Sequence, residues 1–169
     1  MGLPHKLKNF NLYADGDSYL GRIPEVTLPP IKVKGESYRG GGMLGEVDID
    51  MGLEKLEAEV KYGGIVRGVM RRQGLIGVAG SMLRFVGAYQ EEGIGGILAA
   101  ECVMRGKLME LDPGNAKAGD NTEWTGKYTL SYLKWTLNGR VEVEIDVINN
   151  VYIVDGIDRM AGIRAALQL

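Results

Sequence analysis

The chain has 169 residues, 45% hydrophobic and 25% charged, with a formal net charge of −2. That length suits one domain with its own core, and the composition excludes both a disordered chain and one that coats nucleic acid by bulk charge. The single cysteine, Cys102, cannot close an internal disulfide and is expected as a small buried hydrophobe, in a chain made in a reducing cytoplasm.

The opening MGLPHKLKNFNLYADG lacks the apolar core of a secretion signal, and no window approaches the roughly 20 apolar residues of a membrane helix. Lys6 stands where a myristoylation signal needs serine or threonine, so no lipid anchor and no membrane binding by this chain are expected. Glycine is abundant, with 26 residues scattered along a chain that has only 5 prolines. That distribution predicts many turns and many short strands.

In SYLGRIPEVTLPPIKVKG, Pro24, Pro29 and Pro30 break extended segments. Two alternating strands follow: Val47, Ile49 and Met51 against Glu46, Asp48 and Asp50, then Leu56, Ala58 and Val60 against Glu57, Glu59 and Lys61. The period changes in GIVRGVMRRQG, where a short amphipathic helix over about 64–74 would place Ile65, Val66, Val69 and Met70 on one face. Arg67, Arg71 and Arg72 would lie on the other, with Gly74 as the stop. SMLRFVGAYQ and LAAECVMRGKLMELD read as strands joined by the loop EEGIGG, and DPGNAKAGDNTEW as a turn-rich connection. Asn138-Gly139 sits between two strand patterns and predicts a tight hairpin. At the end, over about 157–167, Met160, Ile163 and Leu167 share a helical face and Asp158 is the candidate cap. Strand signals far exceed helical ones. The predicted fold is mainly β, a small sandwich or barrel of antiparallel strands with a short flanking helix and a long projecting hairpin.

That hairpin, about 30–52, is KVKGESYRGGGMLGEVDIDMG with its flanking residues. Folding about Gly41 pairs Lys32 with Asp50, Lys34 with Asp48, Glu36 with Glu46, Ile31 with Met51 and Val33 with Ile49. One face is then ionic and the other apolar, with the apolar face expected on the core and the loop Ser37 to Gly45 projecting. Gly40, Gly42 and Gly45 match a dinucleotide-loop spacing, but a strand follows where a helix N-terminus should receive the phosphates. Glu46, Asp48, Asp50 and Gly52 depart from a calcium loop in the place of the glycine.

Catalytic patterns are equally thin. His5, the one histidine, stands beside Lys6 near a terminus, which removes the usual triads and nearly all zinc sites. Glu57 with Glu101 is a conceivable acid/base pair that nothing singles out. Trp124, Tyr128, Tyr132 and Trp135 lie in strands, where packing explains them better than base stacking does.

The order of segments resembles the major tail tube proteins of contractile-tailed bacteriophages and the related tubes of R-type pyocins. The likeness is carried by LKNFNLYADGDSYLG, EVTLPPIKVKGESYRGGGMLGEVDIDMGLEKLEAE, RGKLMELDPGNAKAGD and SYLKWTLNGRVEVEIDVINNVYIVDGIDRMAGIRAALQL, with YRGGGM and VDGIDRMAGIRAAL the most specific. It implies a single tail-tube domain over 1–169, without catalysis or cofactor, that forms hexameric rings stacked into a hollow tube inside a contractile sheath. Its partners would be its own copies, the sheath, the baseplate or tube initiator, the terminator, and a tape measure protein and then DNA in the channel. Its place would be the virion, after assembly in the host cytoplasm. In such a tube Lys32, Lys34, Glu36, Glu46, Asp48 and Asp50 would line the channel, and Tyr38, Arg39 and Met43 would make the ring-to-ring contact. Two other readings stay open: a pyocin-type tube that passes no genome, and a stand-alone barrel, monomeric in solution, that binds a small ligand or an oligonucleotide.

Overall fold

The computed structural model describes residues 2–169 and over these forms twelve strands and two short helices. In chain order they are β1 (Lys6–Ala14), β2 (Asp17–Ser18), β3 (Glu25–Thr27), β4 (Val33–Tyr38), β5 (Val47–Leu53), β6 (Leu56–Tyr62), α1 (Arg67–Met70), β7 (Ser81–Gln90), β8 (Ile97–Asp112), β9 (Trp124–Leu137), β10 (Arg140–Asp146), β11 (Val151–Val154), β12 (Ile157–Asp158) and α2 (Ala161–Ala166). Ten strands make one antiparallel sheet in the order β12-β11-β10-β9-β8-β7-β1-β2, with β6 added on β9 and β3 on β6. β4 and β5 pair only with each other.

Period-two patterning builds the sheet. β6 buries Leu56, Ala58, Val60 and Tyr62 while Glu57, Glu59 and Lys61 point away, and β7 buries Ser81, Leu83 and Phe85 in the same rhythm. β9 and β10 meet across Asn138 and Gly139, both at positive φ (46° and 81°), the backbone that a two-residue turn between twisted strands requires.

β9 has to serve two partners along one edge, and one extra residue makes that possible. Leu56 of β6 sits opposite Leu130, whereas Asp146 of β10 sits opposite Tyr132, so β9 changes neighbour across Ser131. On its other edge, Gly106 of β8 faces Leu130 and Arg105 faces Tyr132, which leaves Ser131 unpaired as a bulge. The bulge inverts the alternation, so Leu130 and Leu133, three residues apart, are both buried. Ser131 is held in place: its Oγ donates to the Val78 carbonyl at 3.1 Å, and its own carbonyl accepts from Val147 N–H at 3.0 Å. Opposite it, a Cβ on Gly106 would lie 2.1 Å from the Thr129 carbonyl oxygen, so the two backbones approach closer than any side chain allows.

Because the sheet bends there, the β3–β6 half folds over β1 and β7 around one core. It includes Leu12, Val60, Tyr62, Phe85, Met104, Tyr128, Leu133 and Ile145, with Phe10 stacked on Phe85 at 5.4 Å between ring centroids. Cys102 is fully buried, and burial first, then Glu101, pushes its thiol up to about 12. It stays protonated and inert at neutral pH. Tyr62 and Tyr128 share a buried hydroxyl–hydroxyl bond of 2.7 Å.

Both helices are shorter than the sequence pattern suggests. α1 spans only Arg67–Met70, with no side-chain cap; Val66 and Val69 are buried, but Ile65 and Met70 are exposed. Gly68, inside the turn, lowers its helix propensity, and Gly74 at φ 77° ends any continuation. α2 is preceded by the strand β12, and Ile163 and Leu167 face outward instead of the core. Asp158 is not the N-cap, a position held by Met160 without a side-chain bond. Its carboxylate instead accepts from Met160 N–H at 3.0 Å and pairs with Arg164, which holds it below its usual range.

Two outcomes test this core. Gly106→Ala should lower unfolding free energy by about 1–3 kcal/mol, read as an earlier urea midpoint, because the new methyl meets backbone. Burial raises Tyr128 from 10.0 to about 12. The protonated hydroxyl therefore stabilises the fold fully below pH 10, and that contribution is lost as pH rises from 10 through 12. Ultraviolet titration should show two late-ionising tyrosines, Tyr128 and Tyr132, both pushed up to about 12, and Tyr128→Phe should remove one of them.

Candidate functional site

Among the described residues, no cleft gathers catalytic side chains. Glu57 lies opposite Thr129 and pairs with Lys55 at 2.9 Å, whereas Glu101 lies opposite Thr136 and pairs with Arg84 at 3.3 Å. The two carboxylates are thus well separated along β9, and each is matched by a cation. His5 is exposed ahead of β1. Tyr128 is core, and Trp124 and Trp135 pack against the core, which leaves no exposed aromatic row.

The unusual feature is the β4–β5 finger. All residues of its two strands are exposed except Leu53, which is half-buried, and Val47 and Met51 are 51% and 55% exposed. An isolated two-stranded hairpin is marginal in water, and an uncovered apolar strand pair is a pairing template. Its apolar residues do not cover this chain's own core, contrary to the sequence-based expectation.

The register also differs from expectation. Gly35 faces Asp50, Glu36 faces Ile49, Ser37 faces Asp48 and Tyr38 faces Val47, so the turn centres between Gly42 and Met43 and not on Gly41. A bulge at Met51–Gly52, with Gly52 at φ 105°, shifts the pairing back to Val33 opposite Leu53. Burial could not select the register because neither face lies on the core. Lys34 and Glu36 consequently share a face with Val47, Ile49 and Met51, while Asp48 and Asp50 share the other with Gly35 and Ser37. The six charged residues read as one ionic face are therefore divided between two. The predicted pairs of Lys32 with Asp50, Lys34 with Asp48 and Glu36 with Glu46 do not form. Instead Ser37 Oγ donates to Asp48 at 3.0 Å and Gly52 N–H to Asp50 at 2.8 Å. Among the described residues, Lys32, Lys34, Glu36, Glu46, Asp48 and Asp50 make no ion pair.

At the tip the structure does bring Tyr38, Arg39 and Met43 together. Met43 N–H bonds the Gly40 carbonyl at 3.2 Å, Arg39 Nε donates to the Met43 carbonyl at 3.3 Å, and the Met43 sulfur accepts from Gly40 N–H at 3.0 Å.

Two concavities lie at opposite ends of β6, one at the finger's root. One, of about 840 Å³, runs from Met51 and Leu53 to Met109, Ile148 and Ile163 and is largely apolar. The other, of about 820 Å³, lies beyond the Tyr62 end of β6, between the segments around Tyr19 and α1, and is rimmed by Arg22, Arg67 and Arg71 with Asp17. Sequence reading missed the first because its residues come from six separated segments that only the fold brings together. It noticed Arg67 and Arg71 but had no signal that Arg22 joins them.

A projecting, unpaired finger on a closed core defines a structural protein built to associate, and comparison with known proteins says which kind. Residues 4–167 match the family of phage tail tube protein FII. The chain is 39% identical over 163 residues to the tail tube protein of Escherichia phage P2, covering 95% of each. To the major tail tube protein of Serratia phage KSP20 it is 41% identical over 158 residues, covering 92% of this chain and 91% of that one. Its fold is similar to a chain in the PVC sheath–tube complex of an extracellular contractile injection system, with a TM-score of 0.58, 9% identity, and coverage of 79% of this chain and 91% of the other. The chain belongs to the phage tail tube family: it is a structural component of the virion and not an enzyme.

In the dissociated subunit, Val47→Asp with Ile49→Asp should change unfolding free energy by no more than about 0.5 kcal/mol, since neither side chain packs on the core. A loss above about 2 kcal/mol in urea melts would show that the finger is covered by its own subunit.

Proposed function

We propose that copies of this chain close into hexameric rings, and that the rings stack into the inner tube of a contractile phage tail, the conduit for DNA. The observation that carries this reading is the finger, whose apolar residues are exposed on strands that pair with nothing but each other. The short strands β2, β3 and β12 at the sheet's ends add further open edges. Edges of this kind invite indiscriminate pairing unless a closed cyclic arrangement completes each one with the next copy.

Asp48 and Asp50, on one face of the finger, line the bore in this reading. Lys32, Lys34 and Glu36 belong to the opposite side and meet a neighbour. DNA carries a charge about every 1.7 Å of its axis, so a basic wall would hold it by counterion release. An acidic wall without neutralising lysines repels it along the whole bore, which favours passage. The sheath surrounds the tube, the initiator and terminator cap its ends, and the tape measure protein fills it before DNA does. The presence of a similar fold in a sheath–tube complex supports the sheath as partner.

Negative-stain microscopy of the purified chain should show sixfold rings or tubes. Compact single particles at all concentrations would overturn the reading in favour of a stand-alone binding barrel. In a phage carrying Asp48→Lys with Asp50→Lys, tubes should assemble normally while DNA release slows, and unchanged release would remove these residues from the bore.

A further inference from the structure

The finger joins the body at the Leu56 end of β6, and the arginine-rimmed concavity lies beyond the Tyr62 end. The two features therefore sit at opposite ends of one strand of seven residues, about 20 Å apart. They are also opposite in charge. Arg22, Arg67 and Arg71 make no ion pair among the described residues, in contrast to Arg72, which is bound to Asp15 at 3.1 Å. Glu36 and Glu46 flank the finger's turn, one on each side, and are likewise unpaired. The tip's own cation, Arg39, bonds the Met43 carbonyl through Nε and keeps its charge, so the tip is net negative by one against a rim that is net positive. Three free guanidinium groups at one end and two free carboxylates at the other cannot meet within one subunit. They can meet between successive copies placed head to tail, which is the arrangement of a heterologous contact.

We propose that the concavity rimmed by Arg22, Arg67 and Arg71 is the socket that receives the finger tip of a copy in the adjacent ring, through Glu36 and Glu46. This rests on the tube reading. Arginine suits the task because its planar fork binds carboxylates in pairs of hydrogen bonds and also stacks on aromatic rings, and Tyr38 is the exposed ring at the tip. Gly21, Gly63 and Gly64 also line the socket; a Cβ on Gly21 or Gly64 would meet nothing within 4 Å, so a backbone turn has room to enter. Asp17, also on the rim, sets the limit on how many carboxylates the socket accepts, and its repulsion disfavours a more acidic tip.

Charge reversal tests the socket. Arg22→Glu, Arg67→Glu, Arg71→Glu should leave rings but reduce pelletable tubes about tenfold or more, as should Glu36→Lys with Glu46→Lys. Combining both sets in one chain should restore tubes. Normal stacking by the arginine variant, or no restoration by the combination, overturns the proposal. If the reversed chains form no rings, Glu46→Cys with Arg67→Cys decides: the natural Cys102 is buried, so a bismaleimide on preformed tubes should yield a ladder of linked chains running past the hexamer. A ladder stopping at the hexamer places the contact within a ring, and unlinked chains place it nowhere; either result refutes the socket. Failure of the tube reading looks different, since the unmodified chain would then form neither rings nor tubes.

Discussion

The close passage of Gly106 under the Thr129 carbonyl, with Ser131 displaced opposite it, is the constraint from which the rest of the molecule follows. A 14-residue strand kept in strict alternation would present one face to one layer along its whole length. Dropping one residue out of register at mid-strand lets β9 hold β6 with its first half and β10 with its second, burying side chains in both. The two layers of the core are thus two ends of the same pair of long strands. A side chain at position 106 would force them apart, and the core would lose its closure.

That closure decides what is left outside. With β6 seated on β9 and β3 on β6, the segment between β3 and β6 leaves the sheet and pairs with none of its strands. It folds on itself as a finger with Val47, Ile49 and Met51 in water. Within one subunit this arrangement has no energetic justification, because burying those side chains is worth about 1.5–3 kcal/mol each and nothing here buries them. Association supplies the missing term. The same reasoning accounts for the exposed apolar residues around Ile148 and Ile163, which border the groove at the finger's root.

Sequence periodicity revealed several of the elements whose alternation is enforced by burial, but not β1, whose Leu12 and Ala14 are buried in a segment that carried no strand prediction. β6, β7 and the Asn138–Gly139 hairpin appear where the pattern puts them, because a slipped register there would turn charged side chains into the core. The finger's existence was equally plain, but its pairing was not. Alternation there is real, yet with no core beneath it the register is set by the Gly40–Met43 turn and the Gly52 bulge, which no hydrophobic pattern encodes. The consequence was large, since the displacement moved Lys34 and Glu36 to the other face and separated charges that had looked paired. α1 failed for a related reason: two apolar residues, Val66 and Val69, suffice to anchor a single turn, and the glycines around them end it. The arginine socket could not be read at all, because Arg22 lies far in sequence from Arg67 and Arg71 and is brought to them only by the fold.

The observed register bears on how such a chain survives before it assembles. A finger with all its charges on one side would offer its other side as a continuous apolar strip, the form most prone to indiscriminate edge pairing. Here Lys34 and Glu36 lie among Val47, Ile49 and Met51, so each apolar pair is interrupted by a charge that only a matching partner can neutralise. Misregistered association would strand those charges against apolar surface, at a cost of several kcal/mol, whereas in the proposed tube a neighbouring copy would supply their counter-ions. The displacement that spoils the simple ionic face therefore gives the finger its selectivity, by making the same residues attractive in one geometry and repulsive in the others.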